Sequence, residues 1–229
     1  MPNRTYVLVP GAGGSTFSWQ RVIPLLREQG HDATAVELPA ADDKAGLQEY
    51  ADAIVTAATG LDDVVLVAHS MGGLSAPLTC DGLPVSAIVL LNAMIPLPGE
   101  TGGDWWEVTR QEQARRDLDR REGRDPDGPF DLEVYFLHDL PAPLAAEALA
   151  TEQPQSGTPF TEPWPLPAWP DVPTHVLAGA EERFFPVDFQ ERVARERLGL
   201  APRIVPGGHL AALSHPAELV AEILAVTGR

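Results

Sequence analysis

One serine stands among neighbours that suit a nucleophile. Val64-Val65-Leu66-Val67-Ala68 is a continuous apolar run, mostly β-branched, as expected of a strand buried on both faces of a parallel sheet. His69-Ser70-Met71-Gly72-Gly73 follows, and then the apolar Leu74-Ser75-Ala76-Pro77-Leu78. The stretch is close to G-x-S-x-G, with Ala68 in the first glycine position and Gly72 in the second. A sharp strand-to-helix turn of this kind lifts the serine oxygen above the sheet, and small neighbours let strand and helix pass closely. The N–H of the following residue, Met71, lies at a helix N-terminus, where developing negative charge is favoured. A serine nucleophile requires a base, an acid and a second oxyanion donor elsewhere in the chain.

The second donor is expected from the loop after an early strand. Thr5-Tyr6-Val7-Leu8-Val9 reads as that strand, and Pro10-Gly11-Ala12-Gly13-Gly14 follows it. This loop lacks G-x-G-x-x-G spacing and has no Walker lysine, so phosphate binding is disfavoured. Its glycines permit close backbone approach to the serine, and Ala12 is the candidate donor. Among the six histidines, His209 alone lies in a glycine-flanked loop after the last strand, downstream of nucleophile and acid candidates. That is the order Ser…Asp/Glu…His. An imidazole suits the role because it titrates near working pH and can take the serine proton and later return it. The acid is expected after the penultimate strand, where Glu181 and Glu182 are adjacent and no aspartate occurs between Asp171 and Asp188. Asn92, after the preceding strand, cannot carry the charge.

The elements that must position these residues alternate strand and helix. Strands are expected at Thr5–Val9, Ala33–Leu38, Val64–Ala68, Val85–Leu91, Thr174–Gly179 and Pro202–Val205. Helices are expected from about Trp19 to Gln29, Leu47 to Thr59, after the serine turn, Asp188 to Leu198 and Pro216 to Val226. The pattern predicts an α/β fold with a mostly parallel central sheet and helices on both faces. It breaks between residues 97 and 170, where Gly, Pro, charge and aromatics dominate. Residues 1–229 therefore read as a single domain, with a core of 1–96 and 171–229 and an inserted helical cap over 97–170. Four of the five tryptophans lie in this insertion. Trp105, Trp106, Phe136, Phe160 and Trp164 are the candidates to line a pocket above the serine, some of them being structural. The charged run Arg115 to Glu122 reads as a solvated helix face.

Composition bounds the partners. The net charge is −17 and Lys44 is the only lysine among sixteen basic residues, which disfavours nucleic acid or an anionic membrane surface. The one cysteine, Cys80, has no partner for an internal disulfide and reads as a small buried side chain. No signal peptide and no apolar run approaching 18 residues is visible, so a cytoplasmic protein is expected. No ligand cluster implies a metal or an organic cofactor.

With these residues placed, the chain resembles the α/β-hydrolase superfamily, and within it the compact branch of plant methylesterases (salicylate-esterase-like proteins) and hydroxynitrile lyases with their bacterial relatives. The resemblance rests on Pro10-Gly11-Ala12 with Trp19, Ala68 to Gly73, Glu182-Arg183-Phe184-Phe185-Pro186 and Gly208-His209-Leu210 through Pro216. It implies Ser70 as nucleophile, His209 as base, and an oxyanion hole of the Ala12 and Met71 N–H groups. The acid of that pattern is usually Asp in D-x-x-x-P, a position held here by Glu182. Pro10-Gly11 replaces the usual His-Gly, and Ala68 replaces a glycine. The lyases typically carry Thr at the position of Gly11 and Lys at that of Leu210, so the resemblance favours ester chemistry. It implies a carboxylic-ester hydrolase, monomer or homodimer, cleaving a small, largely apolar ester or lactone through an acyl-enzyme. A lyase or cyclase on the same fold, and a ligand-binding receptor with the same pocket, are the alternatives.

Overall fold

The computed structural model describes residues 4–228. Strands β1 (Thr5–Val9), β2 (Asp32–Ala35), β3 (Val64–His69), β4 (Val85–Leu91), β5 (Thr174–Gly179) and β6 (Arg203–Val205) form one sheet. Their order is β2-β1-β3-β4-β5-β6, and every pairing is parallel. The helices are α1 (Val22–Glu28), α2 (Leu47–Ala57), α3 (Gly72–Ser75), α4 (Gly102–Thr109), α5 (Gln111–Arg121), α6 (Leu132–Tyr135), α7 (Ala142–Ala150), α8 (Thr158–Thr161), α9 (Val187–Leu198), α10 (Ala211–Ser214) and α11 (Pro216–Thr227). Among the described residues, no helix is long and apolar enough to cross a membrane.

Strand side chains alternate between two faces, and the two cores follow that alternation. Val7, Leu66, Ala68, Ile88 and Leu90 pack with α2 and α9 through Tyr50, Ile54, Phe189 and Val193. Leu8, Val65, Val67, Val89 and Leu91 pack with α1 and α11 through Val22, Leu26, Leu219 and Ile223. Both faces are thus apolar, which is why the strands read as continuous hydrophobic runs.

Three elements differ from their sequence reading for local reasons. The β2 pairing ends at Ala35 because the chain turns toward the glycine loop, where Leu38 N–H donates to the Gly14 carbonyl at 3.0 Å. The stretch expected as the first helix opens as a 3₁₀ turn at Thr16–Trp19, and α1 begins only at Val22. The helix after Ser70 is α for only four residues and then 3₁₀ over Ala76–Thr79, since Pro77 has no N–H to continue the α ladder.

Between β4 and β5 the described chain holds α4–α8 and no strand. The charged run here is more than a solvated face, which corrects the sequence reading. Asp119 is fully buried. One carboxylate oxygen accepts from Arg115 Nη1 and the Tyr135 hydroxyl, both at 2.9 Å, and the other from Arg124 Nε at 2.8 Å. Arg124 N–H also closes on the Asp119 carbonyl at 2.8 Å. A buried carboxylate persists only when paired in this way. Removing it in Asp119→Ala leaves the mostly buried Arg115 guanidinium without its carboxylate and Arg124 with Glu122 alone, so a loss of about 3 kcal/mol is expected. Urea unfolding followed by far-UV circular dichroism measures it, and a loss below about 0.5 kcal/mol would contradict this role.

Candidate active site

The carboxyl ends of β1 and β3 lie side by side where the strand order reverses, and crevices of parallel sheets open at such points. Ser70 follows β3 there with φ of 52°, a left-handed conformation that a non-glycine residue adopts only when its surroundings impose it. Those surroundings are backbone. Ser70 N–H donates to the Leu91 carbonyl at 3.1 Å, while its own carbonyl accepts from Gly73 N–H at 3.2 Å and Met94 N–H at 2.9 Å. A Cβ at Gly73 would collide with the Met94 carbonyl, and one at Gly11 would stand 2.8 Å from Ser70 Cβ. A side chain at Gly73 would force the backbone to shift, whereas one at Gly11 would press on the Ser70 side chain.

His209 Nε2 lies 3.1 Å from Ser70 Oγ, and its Nδ1 lies 2.7 Å from Glu182 Oε2. Glu182 and His209 are each 2% exposed. The other carboxylate oxygen, Oε1, accepts from Phe184 N–H at 2.6 Å and Phe185 N–H at 3.1 Å. The glutamate thus folds back on its own loop. A carboxylate at Nδ1 makes that nitrogen the donor and leaves Nε2 to accept the serine proton. Glu181 instead braces the histidine loop. Its N–H donates to the Gly207 carbonyl at 3.1 Å, and its Oε2 accepts from Gly207 N–H at 2.5 Å.

Above these groups lies a cavity of about 450 Å³. Ala12, Ser70, Met71 and His209 line its floor, and Trp106, Phe136, Phe160 and Phe184 line its walls. Neither Ala12 N–H nor Met71 N–H has a hydrogen-bond acceptor among the described residues. Phe136 stacks on the His209 imidazole with centroids 4.2 Å apart and planes 14° from parallel. Trp105 and Trp164, expected in the pocket, do not line it. Both are buried, and each spends its indole N–H on a backbone carbonyl, Ile95 at 3.1 Å and Leu74 at 2.9 Å respectively. Such bonds satisfy the buried indole N–H groups, and both rings belong to the structural core.

The profile of the alpha/beta hydrolase family matches residues 6–223. The chain belongs to this family. A probable esterase of Oryza sativa subsp. indica, PIR7A, is 39% identical over 124 residues, covering 48% of this chain and 45% of that protein. Methylesterase 3 of Arabidopsis thaliana is 34% identical over 124 residues, covering 48% and 47%. The chain spans about half the length of these two curated relatives. Polyneuridine aldehyde esterase superposes with a TM-score of 0.80 over 98% of this chain and 99% of its own, at 22% identity, a likeness of fold.

In this alpha/beta hydrolase the His209 loop is held by residues that sequence reasoning left without a role. His69 Nε2 donates to the His209 carbonyl at 2.8 Å. Asn92, fully buried and with φ of 44°, donates to the Gly208 and His209 carbonyls at 3.0 and 3.3 Å and accepts from Gly179 N–H at 2.8 Å. Asp139, from the segment between β4 and β5, accepts from Gly208 N–H at 2.7 Å. The only sequence signal for Asn92 is a polar residue directly after a buried strand. Asp139 carries none.

Burial, reinforced by the neighbouring His209, pushes the His69 imidazole down to about 3 despite its hydrogen bond to the His209 carbonyl. The folded ring is therefore neutral above that pH, whereas an unfolded histidine protonates near 6.5. Below about 6.5 the unfolded chain binds the extra proton, so stability falls toward acid and this group contributes no pH dependence above that point. The expected slope from His69 is up to about 1.4 kcal/mol per pH unit between about 6.5 and 3. Urea midpoints at pH 7.5, 6.5, 5.5 and 4.5 should show this decline, flattened by about one proton in His69→Gln. An unaltered slope in the variant would contradict a buried neutral His69.

Proposed function

We propose that the chain is a serine-dependent carboxylic-ester hydrolase acting on a small, largely apolar ester or lactone. The observation that carries this reading is the continuous relay Ser70 Oγ–His209 Nε2 at 3.1 Å and His209 Nδ1–Glu182 Oε2 at 2.7 Å beneath an apolar cavity. In this proposal His209 takes the Ser70 proton as Oγ attacks the substrate carbonyl. The developing oxyanion is met by the Ala12 and Met71 N–H groups, and the imidazolium is stabilised by Glu182. The proton passes to the leaving alcohol, giving an acyl-enzyme. Water deprotonated by His209 then releases the acid. Residues 97–170 act as a cap whose rings, Trp106, Phe136 and Phe160, shape the acyl or alcohol site. Relatives named esterase and methylesterase support the same reading.

Fluorophosphonate should label the wild-type protein at Ser70, and Ser70→Ala should lose both labelling and ester turnover. Glu182→Gln keeps the shape but not the charge and should lower kcat at least about a hundredfold. Turnover by Ser70→Ala near the wild-type rate would refute the serine mechanism. A separate check concerns the cap. Trp106→Ala removes a cavity wall and should change relative kcat/KM across esters of graded acyl length by about tenfold or more. A folded variant with an unchanged preference would remove Trp106 from the specificity site.

A further inference from the structure

The loop that carries Ala12 is held by few bonds of its own. Gly14 N–H closes on the Gly11 carbonyl at 3.1 Å, and the Gly14 carbonyl accepts Leu38 N–H at 3.0 Å. Pro10 has no N–H and no polar side chain to add a third bond. Between those ends Gly13 adopts φ of 80°, and its N–H donates to Gln155 Oε1 at 3.0 Å. Gln155 lies after α7, far along the chain in the segment between β4 and β5. Its amide is fixed from behind, because Nε2 donates to the Tyr50 hydroxyl at 3.0 Å and to the Ser156 carbonyl at 2.8 Å. Two acceptors at the nitrogen leave the carbonyl oxygen turned to Gly13. The Gln155 backbone is anchored next door, where Ser156 N–H donates to the Ala40 carbonyl at 2.7 Å.

We propose that Gln155 is a positioning residue for the oxyanion loop, holding Gly13 N–H so that the adjacent Ala12 N–H stays directed to the reacting carbonyl. The proposal rests on the serine-hydrolase reading above. It assigns the cap a part in transition-state stabilisation as well as in shaping the pocket. Without the Gln155 acceptor, the unsatisfied Gly13 N–H and the glycine-rich backbone rotate together, and the Ala12 donor loses its aim. An oxyanion exists only in the transition state and tetrahedral intermediate, so the loss falls on kcat and spares ground-state binding.

The test uses p-nitrophenyl ester hydrolysis and inhibition by a trifluoromethyl ketone, which forms a tetrahedral oxyanion adduct on serine. Gln155→Met, of similar shape without the acceptor, should lower kcat about 10- to 100-fold with KM within about twofold, and weaken the ketone by a similar factor. If the Met variant does not fold, Gln155→Asn, one methylene too short to reach Gly13, should show the same split. An unchanged kcat or a loss confined to KM would overturn the proposal. A wild-type protein that neither hydrolyses the ester nor labels with fluorophosphonate would overturn the parent reading and this one together. An active wild type with an unaffected Gln155→Met would overturn this one alone.

Discussion

Every strand of the sheet points the same way, and that single constraint collects the chemistry. Parallel pairing sends all six carboxyl ends to one edge, so the loops leaving β1, β3, β4, β5 and β6 meet there. The strand order places β1 beside β3, which brings the Gly11–Gly14 loop against the Ser70 turn. The pairing of β5 with β6 likewise sets the Glu182 loop beside that of His209. Asn92, at the end of β4, bonds to both neighbours of this second pair. Five loops drawn from five strands are thereby held in register by backbone ladders, the most rigid component available to a protein of this size.

Strand positions were legible in the sequence because burial on both faces leaves a largely apolar run, and β4 and β5 span the residues expected of them. Ser70 and His209 were legible because close packing of turns demands small neighbours, and glycine is visible as a letter. What depends on rotation about an axis was not. Trp105 and Trp106 are adjacent, yet consecutive helical residues lie about 100° apart. One ring fills the core and the other faces the cavity. Choosing between them requires the phase of α4 relative to the sheet, which no local pattern encodes. The same holds for Glu181 and Glu182, one bracing Gly207 and the other bonding His209. Family resemblance separated them, whereas spacing alone left both open.

Long-range polar bonds were the least legible part. His69 to the His209 carbonyl, Asp139 to Gly208 and Gln155 to Gly13 each join residues 69 to 142 positions apart. Each pairs a side chain with a backbone group, and backbone groups leave no trace in a sequence. The Asp119 cluster is instructive in the same sense. A run of alternating charge resembles a solvated helix until the chain folds a Tyr135 hydroxyl and Arg124 over one carboxylate. Burial converts an ordinary surface acid into the centre around which α5 and α6 are ordered.

The long excursion between β4 and β5 also divides the relay along the chain. Strands β1 to β4 pair through shorter connections, whereas closing β5 onto β4 requires the whole intervening segment to loop back, at an entropic cost that grows with its length. Ser70 lies before that segment, and both Glu182 and His209 lie after it. During synthesis Ser70 therefore emerges well before His209 and Glu182, which form its hydrogen-bond relay in the folded chain. The relay is complete only when the last strand docks. A chain cut before β5 therefore holds the serine turn without the two side chains that complete its hydrogen-bond relay in the folded protein.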